Sequence, residues 1–351
     1  MTTMEASGKK GGPVGEKSSA GPRLSGPAQM QNHKKDTARK WGEIGLFVGP
    51  ALVLFFTFVV FPVASAARYS LYKWNGIKQF SEAEFIGFEN YTRALFGGTD
   101  PATQQAFRTA YSEPFWQALS HNFAIIGLSM AIQLPLALII ALTLNRQFPG
   151  RSVVRVIIFA PYVLSEVIAG VMWLIIFDPN GIVTELAEAV GLSMPAGGWL
   201  ESQTWGFWTV FFIVTWKYLG LAIILFLAGL SGVPQELQEA ASIDGASWWQ
   251  VQWRVNVPLI GPTIRIWAFL SIIGSIQLFD MVWVLNRGGT TGQYATIATF
   301  MMQVGYFRKD VGFGSAIAVI MFIISLGIAL AYMAFVLRRD TATANAIEKG
   351  R

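Results

Sequence analysis

Two groups of residues in this chain are of types that can do chemical work. The first lies between Pro234 and Pro258, where Glu236, Glu239 and Asp244 are interleaved with Ala240, Ala241, Ile243, Trp249 and Trp253 around an Asp244-Gly245 pair. Pro234 suits the first turn of a helix, Glu236 and Glu239 favour its positive end, and Asp-Gly is a natural stop. A second short helix is expected from Ala246 to Arg254, with Trp249 and Trp253 on one face and Pro258 ending it. So short a helix-turn-helix cannot bury that apolar surface alone. It is seated in a groove of a partner, or it lies in the headgroup layer where tryptophan is at home.

The second group is Glu166, Lys217 and Asp280, each the lone ionisable residue of an apolar stretch, with Trp216, Tyr218 and Gln277 close by. Charges in hydrocarbon are costly and usually face a protein interior or an aqueous path. Glu166 and Asp280 either line such a path or bond a neighbouring helix. Lys217 snorkels, pairs across helices or contacts a substrate hydroxyl. Trp216, Tyr218 and Gln277 offer the aromatic faces and hydrogen bonds that bind neutral sugars, although packing is their plainer role.

Several chemistries are excluded. There is no cysteine, so there are no disulfides, thiolate metal sites or cysteine nucleophiles, and the only histidines are His33 and His121. Two isolated histidines do not make the usual metal constellation. No HExxH, GxSxG or clustered acid–base set occurs, and the one Gly-Lys dipeptide, Gly8-Lys9, is followed by Lys10 rather than by the Ser or Thr of a P-loop. No catalytic or metal-binding residue is assigned.

The elements that must position these groups follow from composition. Of 351 residues, 53% are hydrophobic and 13% charged, about half the charge of an ordinary soluble domain. A membrane is the simpler solvent. Ile44–Ala67, Phe123–Leu144 and Val311–Leu337 are uncharged, and Val156–Phe177, Trp205–Val233 and Ile266–Leu285 carry one ionisable residue each. A bilayer core of about 30 Å needs roughly 20 apolar residues in a helix. The expected fold is therefore all-α and integral to the membrane, with six transmembrane helices near 44–67, 118–144, 154–177, 205–230, 265–286 and 312–337, in a domain covering 41–340. Pro135 and Pro161 are expected to kink their helices. The first run is twice the length of a signal-peptide core and starts late, so Ala64-Ser65-Ala66 is read as uncleaved.

The net charge of +5 sits entirely in residues 1–40, a Gly/Ser/Pro/Lys-rich leader expected to be disordered. No basic stripe interleaved with aromatics occurs elsewhere, which argues against a nucleic-acid partner. Counted over alternate connections, Lys and Arg number seventeen on the side of the leader, the 145–155 and 234–265 loops and the tail, against eight on the other. By the positive-inside rule both termini, including a short tail at 341–351, are cytoplasmic. The acidic 178–204 loop is then outside.

Resemblance narrows the two readings of the 234–258 loop. Glu239-Ala240-Ala241, three residues, Gly245, nine residues, then Val255-Asn256-Val257-Pro258 resembles the EAA loop of binding-protein-dependent ABC importer permeases, with Val for Ile and Val for Leu as the only departures. Phe85-Ile86-Gly87-Phe88-Glu89-Asn90-Tyr91, Asn145-Arg146, Gly150-Arg151, Pro161-Tyr162, Trp173, Phe177 to Gly181, Phe279-Asp280 and Gly288-Gly289 are similar to the sugar branch typified by maltose permease subunits. Where that branch commonly has GGP, this chain has Gly288-Gly289-Thr290.

The resemblance implies a type I importer permease fold and a division of labour. A second permease subunit completes the path, an extracytoplasmic substrate-binding lipoprotein delivers the solute, and two cytoplasmic ATPase subunits bind ATP and Mg. This chain itself needs no cofactor. Glu239, Ala240, Ala241, Asp244, Gly245 and Pro258 would form the coupling segment, and the path would be lined from Glu166, Trp216, Lys217, Tyr218, Gln277 and Asp280. The expected substrate is a carbohydrate, a di- or oligosaccharide or glycoside, with glycerol phosphate as the alternative. An ion-coupled transporter would favour inverted repeats, and none is visible in the hydropathy.

Overall fold

Hydrocarbon offers a peptide group no hydrogen-bond partner, so uncharged runs of this length fold as helices. The structure, a computed structural model, describes residues 43–97, 111–191, 195, 198–288 and 293–334. The leader with His33, Gly289-Thr290 and the 341–351 tail lie outside the described residues. The chain divides after Pro62 into two units. Of the first, residues 43–62 are described; they belong to helix α1, Glu43–Tyr69. A π-turn, Phe56–Val60, precedes Pro62, and the Phe61 N–H reaches back to the Phe56 carbonyl.

The second unit opens with a two-stranded antiparallel hairpin, β1 (Tyr72–Lys73) and β2 (Glu84–Phe85), in which Tyr72 pairs with Phe85. Next come α2 (Glu89–Leu95) and α3 (Glu113–Leu144), then α4 (Arg151–Val163) and α5 (Glu166–Ile176). After α6 (Ile182–Ala189), α7 runs from Gly206 to Ser231. The short α8 (Gln235–Ile243) and α9 (Trp248–Val251) precede α10 (Gly261–Ile276) and α11 (Asp280–Leu285). Finally come α12 (Ile297–Phe307) and α13 (Val311–Tyr332). Among the described residues, α1, α3, α7, α13 and the stretch Gly261–Leu285 formed by α10 and α11 are long and apolar enough to cross a membrane, and α4 with α5 makes a sixth span if that bent pair is one.

The stretch 154–177, expected as one helix, is two, bent by 100° at Leu164-Ser165. Pro161 removes one backbone donor inside α4, and the carbonyls that follow find partners outside the helix. The stretch 261–285 is likewise interrupted, at 277–279. Pro135 behaves differently. Helix α3 continues through it, and a π-turn at Ser129–Gln133 takes up the lost bond, the Leu134 N–H reaching the Ser129 carbonyl.

Both breaks leave carbonyls that neighbouring side chains satisfy. At the 277–279 break, Asn122 donates to the Ser275 carbonyl at 2.6 Å and Thr296 to the Leu278 carbonyl at 2.7 Å. The same Asn122 accepts from the Ile297 N–H at 2.9 Å, which ties α3, α10 and α12 together. Three apolar cores surround these polar joints. One joins α5, α7 and α11 around Ile213 and Met281, one joins α3, α7 and α10 around Leu142 and Phe226, and one joins α2, α3, α12 and α13 around Phe115 and Phe313.

The Phe85–Tyr91 segment is an anchor. Asn90, fully buried, donates to the carbonyls of Ser70 and Tyr72, and the Tyr91 hydroxyl lies 2.7 Å from that of Ser70. Arg93 bonds Asn90 and pairs with Asp310 at 2.9 Å, joining α2 to the start of α13. A Cβ at Gly312 would fall 2.0 Å from the Tyr72 carbonyl oxygen, so glycine is required where the hairpin crosses α13.

Candidate functional site

The 234–258 loop folds as two short helices around a left-handed glycine. Helix α8 ends in a Schellman motif: the Ala246 N–H bonds the Ala241 carbonyl, the Gly245 N–H bonds that of Ser242, and Gly245 has φ +82°. Glycine carries no Cβ penalty there, which is why the Asp-Gly pair sits at this position. Helix α9 opens with a capping box in which Ser247 accepts from the Gln250 N–H and the Gln250 side chain accepts from the Ser247 N–H. Pro258 does not end the helical path as expected. A π-turn at Gln252–Asn256 precedes it, and Pro258 occupies the first turn of a further helical segment, where a missing N–H costs nothing.

None of the α8 side chains is buried. Ile243 is 85% exposed, and Leu237, Trp249 and Trp253 are exposed as well. Glu239, Ala240, Asp244 and Gly245 are exposed, Ala241 is half-buried, and Glu239 accepts from Gln235 at 2.7 Å. On the opposite face Val251, Gln252 and Asn256 are buried, and the Arg146 guanidinium lies 4.9 Å from the Trp248 ring. The 145–150 connection and the α8–α9 loop therefore lie on one side of the helices. Arg287 pairs with Asp178 at 3.4 Å, bringing the connections after α5 and α11 together.

In the spans, the six candidate residues separate. Lys217, 2% exposed, donates to the carbonyls of Pro161 and Tyr162 at 3.0 Å each and also to that of Leu164. Tyr218 donates to Glu166, the first residue of α5. Trp216 meets Trp173 edge-to-face at 5.1 Å. Gln277 opens the 277–279 break, Asp280 follows it, and both are exposed. Glu166, Lys217 and Tyr218 thus come together at one joint, while Trp216 packs on Trp173, and Gln277 and Asp280 lie at the second break, the Asp280 carboxylate near enough for its charge to act on the Tyr218 phenol.

Beside that joint lies a cavity of about 130 Å³, lined by Ser129, Gln133, Tyr218, Trp267, Ser271 and Ser275 among apolar neighbours. Of the candidate residues only Tyr218 reaches it. Among the described residues, no charged side chain lines it. Gln133 is 3% exposed, and its amide nitrogen has no hydrogen-bond partner among the described residues. A buried donor left unpaired is costly, so its presence in a cavity wall marks a place where a polar group can be received. Sequence reasoning passed over Gln133 and the three serines. The sequence offered only a weak pointer, an amide inside an uncharged run two residues before a proline, which does not tell a paired amide from an open one.

Between the candidate spanning helices, in the connection after α11, the Tyr294 phenol donates to the Leu285 carbonyl at 3.1 Å. Burial, with the Glu201 carboxylate adding to it and Arg287 opposing, pushes its pKa up to about 12.

The chain is 30% identical to a probable ABC transporter permease protein of Pyrococcus horikoshii over 290 residues, 82% of this chain and 93% of that one. It is 28% identical to the trehalose/maltose transport system permease protein MalF of Thermococcus litoralis, with coverage of 82% and 91%. Among solved structures, a bacterial ABC transporter involved in the import of the acidic polysaccharide alginate has a chain that superposes with a TM-score of 0.69 at 22% identity, over 87% of this chain and 99% of that one, a likeness of fold. Residues 133–342, which contain the cavity wall from Gln133 onward and the whole α8–α9 loop, match the family described as binding-protein-dependent transport system inner membrane component, and the chain belongs to that family.

Proposed function

We propose that this chain is one permease subunit of an ATP-driven importer that carries a neutral carbohydrate, a di- or oligosaccharide or glycoside. The observation that carries this reading is the chemistry of the cavity wall, where a tryptophan, a phenol, three serines and an unpaired amide converge without a charge; at about 130 Å³ the cavity takes only part of such a sugar, and the rest lies in the path that a second permease completes. Sugars are bound by aromatic faces and by hydrogen bonds from such groups. Glycerol phosphate, or an acidic sugar, would leave its anion without a cation in that wall. The trehalose/maltose relative supports the carbohydrate class.

The remaining assignments belong to the same reading. Two ATPase subunits, carrying ATP and Mg, take the exposed α8–α9 face as their docking surface. A second permease completes the path, and a binding lipoprotein delivers the solute outside. Both termini are cytoplasmic, and the membrane is the inner or plasma membrane of a prokaryote. ATP binding biases a two-state equilibrium only through contacts that differ between the states, and the loop supplies those contacts. The test is uptake into vesicles carrying the whole transporter, with labelled neutral and anionic sugars in competition. Saturable uptake of a neutral glycoside that anionic sugars fail to compete is expected. Uptake of the anionic sugar alone overturns the assignment to a neutral solute. Copurification without an ATPase overturns the coupling assignment.

A further inference from the structure

Helices α4 and α5 rest on different neighbours. At α7 a Cβ on Gly220 would lie 2.8 Å from the Ile158 carbonyl oxygen and 3.3 Å from the Phe159 Cα, so α4 and α7 are in backbone contact there. At α5 a Cβ on Gly170 would lie 3.0 Å from the Val284 side chain, so α5 and α11 are in equally close contact. The bend between them lies against α7, at two consecutive residues. Lys217 takes the three carbonyls that α4 leaves open, and Tyr218 reaches the first side chain of α5. An ammonium buried to 2% exposure and spent on carbonyls is not available to a substrate. A phenol in a cavity wall whose hydroxyl is held by a carboxylate has its direction set from outside the cavity.

We propose that Glu166 and Lys217 are positioning residues for substrate binding: Lys217 fixes the bend, and the bend delivers Glu166 to the Tyr218 hydroxyl, which orients that ring in the cavity wall. The inference rests on the reading of the cavity as the carbohydrate site. Neither residue touches the solute. The Glu166 carboxylate also faces the Lys217 ammonium, but its effect on binding runs through Tyr218, and a side chain that still accepts from the phenol restores it.

The test uses the complete transporter in vesicles and two readouts. In the first, uptake of a labelled neutral glycoside is measured for Glu166→Leu, Glu166→Gln, Tyr218→Phe and the Glu166→Leu/Tyr218→Phe double variant. Glu166→Leu and Tyr218→Phe each raise KM by roughly five- to tenfold, in line with one hydrogen bond, with kcat nearly unchanged. The double variant is no worse than either single one, and Glu166→Gln restores most of the affinity. An unchanged KM, or effects that multiply in the double variant, overturns the positioning role. The second readout uses the absence of cysteine from this chain. Spin labels at Val153 and Ile175, which are 62% and 65% exposed on α4 and α5, report the bend when the partner subunits also lack cysteine. Lys217→Met broadens the label distance distribution, Lys217→Gln does so less, and Glu166→Leu leaves it unchanged. A distribution unaltered by both Lys217 variants overturns the role of Lys217. If the unsubstituted transporter takes up no sugar, the carbohydrate reading fails and the KM prediction with it, while the distance readout still decides the bend.

Discussion

The α8–α9 loop leaves apolar side chains in the open, Ile243 at 85% exposure, whereas the α4–α5 joint hides a charge, Lys217 at 2%. Each is unfavourable for an isolated chain in its own surroundings. Exposed apolar surface on a short helix becomes favourable when a partner covers it. A buried ammonium becomes tolerable when carbonyls of the same chain surround it. The loop is thus completed by another molecule and the joint by its own fold. Substitutions in the first should cost function while sparing the folded chain. In the second, loss of the buried charge that holds the bend, Lys217, should cost the fold itself.

The largest effect is expected at Gly245. Gly245→Asp abolishes uptake while the protein still inserts, because a Cβ there meets nothing within 4 Å in the isolated chain, and the left-handed backbone costs only about 1–2 kcal/mol. Uptake assays beside membrane-fraction blots check this, and Gly245→Ala serves as the uncharged control. Normal uptake by the aspartate variant would remove the loop from the comparison. Lys217→Met, by contrast, lowers the yield and melting temperature of purified protein, since each orphaned carbonyl costs about 1–3 kcal/mol. A fully stable variant would show that the joint does not depend on its charge.

Gln133→Leu lies between the two regions and is expected to raise KM for the neutral glycoside by about tenfold, the value of a lost hydrogen bond near 1.4 kcal/mol, with melting temperature unchanged or higher. An unaltered KM would take Gln133 out of the binding wall. The smallest effect concerns Tyr294. Its pKa stands near 12 in the fold against about 10 in an unfolded chain, so burial of the neutral phenol contributes fully below about pH 10. That contribution fades as pH rises towards the folded value. Melting temperatures of wild type and Tyr294→Phe should therefore run parallel at neutral pH and converge or cross only in strong alkali.

Much of this architecture was legible in the residues. Charge-free length is enough to mark a span, because lipid penalises any other solution. The Asp244-Gly245 turn was legible for a local reason: a positive φ selects glycine whatever surrounds it. The Pro161 kink was visible as a tendency, yet the bend falls three residues later, where carbonyls could reach Lys217. Gln133 was not identified, since an amide within a span reads alike whether a neighbour pairs with it or a cavity leaves it open.

Local preferences and solvent cost act on consecutive residues, so they determined from the sequence alone where helices form, where the loop turns and which side chains needed an explanation. Pairings between distant residues depend on which helices touch. Only the tertiary structure decided that Lys217 meets the end of α4, that Tyr218 meets Glu166, that Asn122 and Thr296 close the second break, and that Gln133 faces a cavity. The physical reason is that a buried polar group must be satisfied somewhere, and sequence spacing does not say where.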